Sequence, residues 1–322
     1  MRSLLITWAE IAGPLVAASG MLSWLLATHL LRPLRRITRT ARLLSATNLD
    51  QRVSLSGPHD ELWELAGTFD DMLRRLEAAF ASQRRFVANA SHELRTPLAI
   101  MRTQLDVALS APGVASTELR DAASVVLEAL DRSQRLLDGL LTLARSDPSL
   151  DTSRRPVDLA QVMGAALVPV SSRAEATQLS LGINLQPVTV QGDPTLLERM
   201  IGNLLENAIT YNHANGWVRM EVGPSGDRAV LRVRNSGPEI PPALTEGLFE
   251  PFRRLSQDRT GSTRSAGLGL SIVRAVARAH GGEARARALP AGGLEVEVKL
   301  PAAAIDVLAP APLQGVMTLP AV

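Results

Sequence analysis

His92 has neighbours that could make its imidazole reactive. From Arg85 onward, apolar residues recur at three-to-four spacing (Phe86, Ala90, Leu94, Leu98, Met101, Leu105), which predicts a helix. His92 lies two positions from both Ala90 and Leu94. At about 100° per residue this puts it opposite the apolar stripe, facing solvent. Glu93, beside it, can orient the ring and raise its basicity, as an imidazole nucleophile requires. Thr96 falls one turn later on the same face, within reach of anything attached to His92. Pro97 has no N–H to give the carbonyl of Glu93, so a kink is expected next to the histidine. A lone exposed histidine is more often an ordinary surface residue, and the weight here comes from its company.

A second set of residues suits a polyphosphate. Asn203 and Asn207 are four apart in a helix expected over Pro194 to Thr210, with Asp193 as N-cap and Pro194 in the first turn, so both amides share one face. An amide oxygen is a suitable hard ligand for Mg²⁺, which takes few protein ligands alongside phosphate oxygens and water. Gly267 and Gly269 precede a helix running from Leu270 to His280 and ended by Gly281-Gly282. Free N–H groups and the positive end of the helix dipole can meet phosphate there. Each of these signals is weak alone.

The elements that must position these groups follow from composition and periodicity. The chain has 322 residues and is 46% hydrophobic, which excludes a disordered protein and suggests two domains or several small ones. The absence of cysteine excludes a disulfide framework, Cys-ligated zinc and a thiol nucleophile. A net charge of only +2 supports no global nucleic-acid footprint, so no nucleic acid is expected as a partner. A second amphipathic helix is expected from Glu118 to Arg145, with Leu119, Ala122, Val126, Leu130, Leu137, Leu141 and Ala144 on its stripe. Beyond a polar linker at Pro148 to Pro156 the periodicity changes to short strands, among them Val188 to Gln191, Trp217 to Val222, Ala229 to Val233 and Leu294 to Leu300. Strands alternating with helices predict an α/β sandwich.

Ile11 to Leu31 is a run of 21 residues without Asp, Glu, Lys or Arg. It reaches roughly 30 Å as a helix, about the thickness of a bilayer core. Arg32, Arg35, Arg36, Arg39 and Arg42 follow it, so the positive-inside rule places the bulk of the chain in the cytoplasm. A signal peptide would carry its charge before the apolar run rather than after it. Next come two amphipathic patterns. The first follows Pro33, with Leu34, Ile37, Ala41 and Leu44. After a connector at Asn48 to Pro58, the second starts at an Asp60 N-cap and carries Leu62, Leu65, Phe69, Met72, Leu76 and Phe80. Each stripe needs a partner, and a parallel dimeric bundle is the simplest supply.

Ser91-His92-Glu93-Leu94-Arg95-Thr96-Pro97-Leu98 closely resembles the H-box of sensor histidine kinases. Asn203 to Asn212 resembles their N-box, Asn235-Ser236-Gly237-Pro238-Glu239-Ile240-Pro241 the first glycine box, Leu248-Phe249-Glu250-Pro251-Phe252 the F-box, and Gly267-Leu268-Gly269-Leu270 the second glycine box. The two patterns after the apolar run resemble a HAMP signal relay. The resemblance implies a multidomain chain with these boundaries: 1–31 N-terminal segment and one transmembrane helix, 32–82 HAMP, 83–147 dimerisation and histidine phosphotransfer, 148–156 linker, 157–302 catalytic ATP-binding and 303–322 disordered tail. The all-α regions would form a dimeric four-helix bundle, and the ATP-binding domain would be an α/β sandwich of the GHKL (Bergerat) type. The implied chemistry is transfer of the ATP γ-phosphoryl group to His92 and onward to an aspartate in a response regulator receiver domain. Glu93 would assist the nucleophile, and Thr96 would position water for the reverse dephosphorylation. Asn203, Asn207, Tyr211, Asn235, Gly237, Gly267, Gly269 and Leu270 would bind the nucleotide, with Asn207 on Mg²⁺. The polar stretch between Pro251 and Gly267, with Arg253, Arg254, Arg259 and Arg264, corresponds to the ATP lid. The partners implied are a second copy of the chain, the receiver domain and membrane lipid, and the location is the cell membrane with cytoplasmic C-terminal domains.

Three positions depart from the family pattern. Asn235 stands where an aspartate normally accepts a hydrogen bond from the adenine amino group, Glu239 replaces the second glycine of that box, and Thr210 replaces a basic residue. A single apolar span replaces the usual two spans around an external sensor. Asn235, Glu239 and Thr210 keep open a second reading, a pseudokinase or phosphatase-biased dimeric scaffold. A plain ATPase of the same fold is disfavoured, because its general-base glutamate would fall at Asn203, which cannot deprotonate water.

Overall fold

The computed structural model describes residues 13, 15–25, 38, 52, 61–110, 116–146, 154–253, 266–303 and 313–317. They divide into two compact units, Met1–Ala88 and Asn89–Val322. In the first unit residues 15–25 are helical, with Leu15, Val16, Met21, Leu22, Trp24 and Leu25 exposed. No helix among the described residues is long and apolar enough to cross a membrane. The ends of the Ile11–Leu31 run, the Asp60 cap and, apart from Thr38 and Arg52, the first HAMP-like helix and its connector lie outside the described residues.

Helix α1 runs from Glu61 to Ser110 and continues through Pro97. Its first part buries Ala66 and Leu73, seven residues apart, whereas Leu65, Met72 and Leu76 of the expected stripe keep 40% or more of their surface exposed. The buried line is shifted from the expected one, so the broad apolar face of this helix is only partly covered within one chain. Arg52 donates to Glu77 at 2.6 Å on the same unit.

In the second unit, helix α2 (Ser116–Arg145) follows α1. Then come β1 (Arg155–Asp158), α3 (Leu159–Ala176), β2 (Ser180–Leu185), β3 (Thr189–Gly192), α4 (Pro194–Thr210), β4 (Trp217–Ser225) and β5 (Arg228–Asn235). Two short 3₁₀ turns at Pro242–Leu244 and Glu246–Phe249 precede α5 (Gly269–Ala279), β6 (Glu283–Ala288), β7 (Leu294–Pro301) and β8 (Leu313–Met317). The main sheet has the order β6-β7-β5-β4-β2-β8, parallel only between β2 and β4. The expected α/β sandwich is therefore present. Alternation along β4, β5 and β7 turns Met220, Leu231, Val233 and Val298 into the core. The opposite positions carry Arg232, Arg234 and Glu297, and Arg232 pairs with Glu221 at 3.0 Å and with Glu297.

Two expectations about irregular segments need correction. Arg155 and Pro156, read as linker, belong to β1, which pairs antiparallel with β3. The tail, expected to be disordered, contributes β8, which pairs antiparallel with the otherwise open side of β2. Both strands are short, and each is paired along its length with a partner strand.

Helix α4 shows how local signals fix an element. Asp193 accepts from the N–H groups of Thr195 at 2.8 Å and Leu196 at 3.3 Å, and Pro194 occupies the first turn. Two rows four residues apart, Leu196-Met200-Leu204-Ala208 and Leu197-Ile201-Leu205-Ile209, are buried. Asn203, Asn207 and Thr210 therefore lie on the remaining face. The cap is tied to the far end of α5 by His280, which is 5% exposed. The Asp193 N–H donates to its Nε2 at 3.0 Å, so Nδ1 carries the proton and donates to the Val276 carbonyl at 2.8 Å. Burial pushes the His280 pKa below the ordinary histidine value, and the bond to Val276 offsets part of that shift.

Candidate active site

A cavity of about 300 Å³ opens between α4, the loop after β5 and the start of α5. Its apolar wall includes Ile240, Leu248, Leu270 and Leu294, and its polar groups include Asn207, Tyr211, Asn235 and Gly267. The structure thus brings together Asn207, Tyr211, Asn235, Gly267, Gly269 and Leu270 as the sequence suggests.

Gly237 does not line the cavity but shapes its edge. A Cβ there would lie 2.7 Å from the Tyr211 carbonyl oxygen, so only glycine allows the box to pack against the end of α4. Asn203 sits one turn before Asn207 and is turned aside. Its amide nitrogen donates to the Arg199 carbonyl at 2.7 Å, and a Cβ on Gly269 would meet its Oδ1 at 3.3 Å. Asn203 thus packs against the start of α5 and lines a neighbouring groove with Asn207 and Gly269.

The start of α5 has the local geometry to meet an anion. Helices α3 and α4 have their first N–H groups capped by Asp158 and Asp193, whereas among the described residues α5 has no side-chain cap. Its leading N–H groups carry the positive end of the helix dipole towards the cavity rim. Gly267 has φ +73, and a Cβ there would fall 3.0 Å from the carbonyl carbon of Phe252. The Phe252 N–H donates to the Gly267 carbonyl at 2.9 Å, and Phe252 itself has φ +66. The F-box is held from below, where Arg274 donates to the Phe249 carbonyl at 3.1 Å and lies 5.1 Å from the Phe249 ring centre. Desolvation lowers the Arg274 pKa, and the neighbouring Arg278 adds to the shift. Of the four lid arginines, Arg253 lines the cavity, and the other three lie outside the described residues.

The structure shows how each departure from the family pattern is accommodated. Asn235 is 5% exposed, and its amide nitrogen donates to the Ser236 carbonyl at 2.7 Å. One of the two amide hydrogens is thereby used within the protein, and the oxygen keeps its capacity to accept. Glu239 is exposed at the rim rather than buried against a base. Beside Thr210 a guanidinium arrives from α3. Arg173 donates to the Thr210 hydroxyl at 3.2 Å and lies 3.6 Å from Glu206. No sequence pattern links positions 173 and 210, which meet only because α3 packs on α4.

His92 is exposed on α1, as its position opposite the stripe predicts. Thr96 donates to the His92 carbonyl at 3.2 Å, keeping its hydroxyl one turn from the imidazole. Glu93 adjoins His92, and its carboxylate accepts a hydrogen bond at 3.2 Å from Arg132 on α2. A half-exposed carboxylate on a helix takes the nearest cation, and here that cation comes from the neighbouring helix. Leu98, Leu105, Leu130, Leu137 and Leu141 of the helical stripes are each more than 40% exposed in the single chain.

A cavity lined by apolar side chains, a buried amide and the first residues of a helix fits a nucleoside polyphosphate. Asn207 presents the only amide that lines both the cavity and the groove beside it among the described residues. A single neutral ligand of this kind suits Mg²⁺ shared with phosphate oxygens. No cluster of three or more His, Cys, Asp or Glu that could hold a metal by itself occurs among the described residues.

Three stretches of the chain match known families. Residues 192–304 match the histidine kinase-, DNA gyrase B- and HSP90-like ATPases, residues 82–149 the His kinase A phospho-acceptor domain, and residues 25–78 the HAMP domain. Sensor protein CutS of Streptomyces coelicolor is 51% identical over 277 residues, covering 86% of this chain and 66% of that protein. Sensor protein CopS of Pseudomonas syringae pv. tomato is 35% identical over 260 residues, covering 79% of this chain and 52% of that protein. The chain therefore spans two thirds or less of the length of these relatives. In crystals of histidine kinase ThkA with response regulator protein TrrA, a similar fold covers 75% of this chain and 68% of that one, at a TM-score of 0.55 and 21% identity.

Proposed function

We propose that this chain, which belongs to the two-component sensor histidine kinases, transfers the γ-phosphoryl group of ATP to a ring nitrogen of His92 and passes it to an aspartate of a response regulator receiver domain. The observation that carries this reading is an exposed histidine on a helix in the same compact unit as a cavity with an apolar slot, a buried amide acceptor and an uncapped helix start. Asn235 would accept from the adenine amino group, while Ile240, Leu248, Leu270 and Leu294 exclude water from the base. The N-terminus of α5 would hold the phosphates, and Asn207 would hold Mg²⁺. When bound, Mg²⁺ supplies charge neutralisation of the polyphosphate. Glu93 would stabilise the proton on the imidazole nitrogen that does not attack, and Thr96 would hold water for the reverse reaction on the regulator.

The exposed leucines of α1 and α2 fit a four-helix bundle made with a second copy of the chain. The Ile11–Leu31 run and the arginines after it support anchoring in the cell membrane, in contact with lipid, with the catalytic unit in the cytoplasm. The scaffold alternative rests on Asn235, Glu239 and Thr210, none of which obstructs the cavity.

The test is nucleotide binding by the full chain with and without magnesium. ATP should bind, more tightly with Mg²⁺, and Asn207→Ala should lose most of the magnesium-dependent gain. ATP binding that ignores both magnesium and Asn207 would overturn the assignment of the metal site. Absence of ATP binding would overturn the kinase reading.

A further inference from the structure

Helix α2 faces the nucleotide site with a row of residues at helical spacing. Gly139 lies close against α5, since a Cβ there would meet Leu268 Cδ1 at 3.1 Å and Ile272 Cδ1 at 3.4 Å. Asp138 beside it accepts from Arg199 of α4 at 3.0 Å. Two turns earlier on α2 stands Arg132. It lines a groove of about 140 Å³ whose far wall is formed by Asn203, Asn207 and Gly269. The groove is thus continuous with the residues that hold the phosphate end of the nucleotide, because Asn207 and Gly269 line both spaces. The acids that line it are already engaged by cations, Asp138 by Arg199 and Glu206 by Arg173. Arg135, one turn on from Arg132, adds positive charge to the same wall. This leaves the α2 side of the groove suited to an anion.

Arg132 is also tied to the acceptor side. Its guanidinium donates to Glu93 at 3.2 Å, and Glu93 adjoins His92 on α1. One cation therefore touches the carboxylate beside the phosphoacceptor and faces the groove leading from the nucleotide.

We propose that Arg132 is a positioning residue that reads the γ-phosphate: the terminal phosphate of ATP competes with Glu93 for its guanidinium, and in doing so is drawn towards His92 while Glu93 is released to the imidazole. The proposal rests on the kinase reading above. In the transfer it assists, the lone pair of one imidazole nitrogen forms the N–P bond, and the bond from γ-phosphorus to the β–γ bridging oxygen breaks. ADP leaves with that electron pair. The proton on the second ring nitrogen stays there, hydrogen-bonded to the freed Glu93. Arg132 stays protonated throughout and moves only its hydrogen bonds.

The consequence is a nucleotide preference that can be read without any catalysis. ADP lacks the phosphate that reaches Arg132, so the residue should favour ATP over ADP. The experiment is equilibrium binding of ATP and of ADP, each with Mg²⁺, to the full chain and to Arg132→Gln, Arg132→Lys and Glu93→Gln. Arg132→Gln should reduce the ATP-to-ADP preference about tenfold, the scale of one charge-assisted contact, with ADP affinity unchanged. Arg132→Lys should keep part of the preference. Glu93→Gln should raise it about two- to fivefold by removing the competitor, and that gain should vanish in the Arg132→Gln background. A role confined to holding α1 against α2 would move ATP and ADP together. An unchanged ratio in Arg132→Gln, with both nucleotides bound, would overturn the proposal while leaving the kinase reading intact. A wild-type chain that binds neither nucleotide would overturn both.

Discussion

Replacing Asn235 by aspartate restores the family's usual residue at the head of the first glycine box, yet should weaken this protein in its nucleotide-free state. Asn235 is 5% exposed, and its amide nitrogen donates to the Ser236 carbonyl at 2.7 Å. A carboxylate has no hydrogen to place there, so two acceptor oxygens would face each other. Loss of the bond costs about 1 kcal/mol, and a buried acceptor left against another adds at least about 1 kcal/mol. A total of about 2 kcal/mol corresponds to a melting temperature roughly 4–8 °C lower for a unit of this size. The pH dependence has a definite sign. Burial without a partner raises the folded-state pKa of the new carboxyl, so the folded protein binds the proton that the unfolded chain gives up. The variant should therefore lose stability relative to wild type as pH rises, with the deficit largest near about pH 8 and shrinking towards about pH 5, where the protonated acid can donate to Ser236. Thermal melts of the full chain and of Asn235→Asp at both pH values, with and without ATP, read this directly. ATP should recover part of the loss, because the adenine amino group donates to the new carboxylate. Equal melting temperatures at the higher pH would refute the argument that the Ser236 carbonyl selects the amide.

Two further outcomes follow from the geometry. Gly237→Ala places a Cβ 2.7 Å from the Tyr211 carbonyl oxygen, so the box must shift and ATP affinity should fall by about tenfold or more in calorimetric titration; an unchanged affinity would contradict the packing role. Burial lowers the His280 pKa, so as pH falls through the ordinary histidine range the unfolded chain takes up a proton before the folded one, and stability is lost. His280→Gln can keep an acceptor for Asp193 and a donor for Val276, and should flatten that part of the pH–stability curve; an unchanged slope would contradict the assignment.

Much of this unit is legible in its sequence where a local signal decides. Helix α4 starts and stops where the Asp193-Pro194 cap and the apolar rows imply, and Asn203 and Asn207 share the expected face. Strands β4, β5 and β7 follow their alternation, apart from one or more residues at their ends. Helix α3 carries a weaker signal, since Pro169 lies inside it and its apolar residues are spread around it. Strand β6 reads Glu-Ala-Arg-Ala-Arg-Ala, a composition with little strand preference, and forms because β7 offers an edge. The arginines that matter at the site are the least legible. Arg132 and Arg173 reach Glu93 and Thr210 across 39 and 37 positions of chain, through helix packing that no spacing rule encodes. Glu93 is a case in point, because its partner in the structure comes from another helix.

The proposed function requires that His92 accept the γ-phosphoryl group of ATP. The direct measurement is labelling of the full chain with γ-labelled ATP and Mg²⁺, beside His92→Gln. The wild-type chain should carry an acid-labile, alkali-stable label and the variant none. No label on a folded chain that binds ATP, or label that persists in His92→Gln, would contradict it.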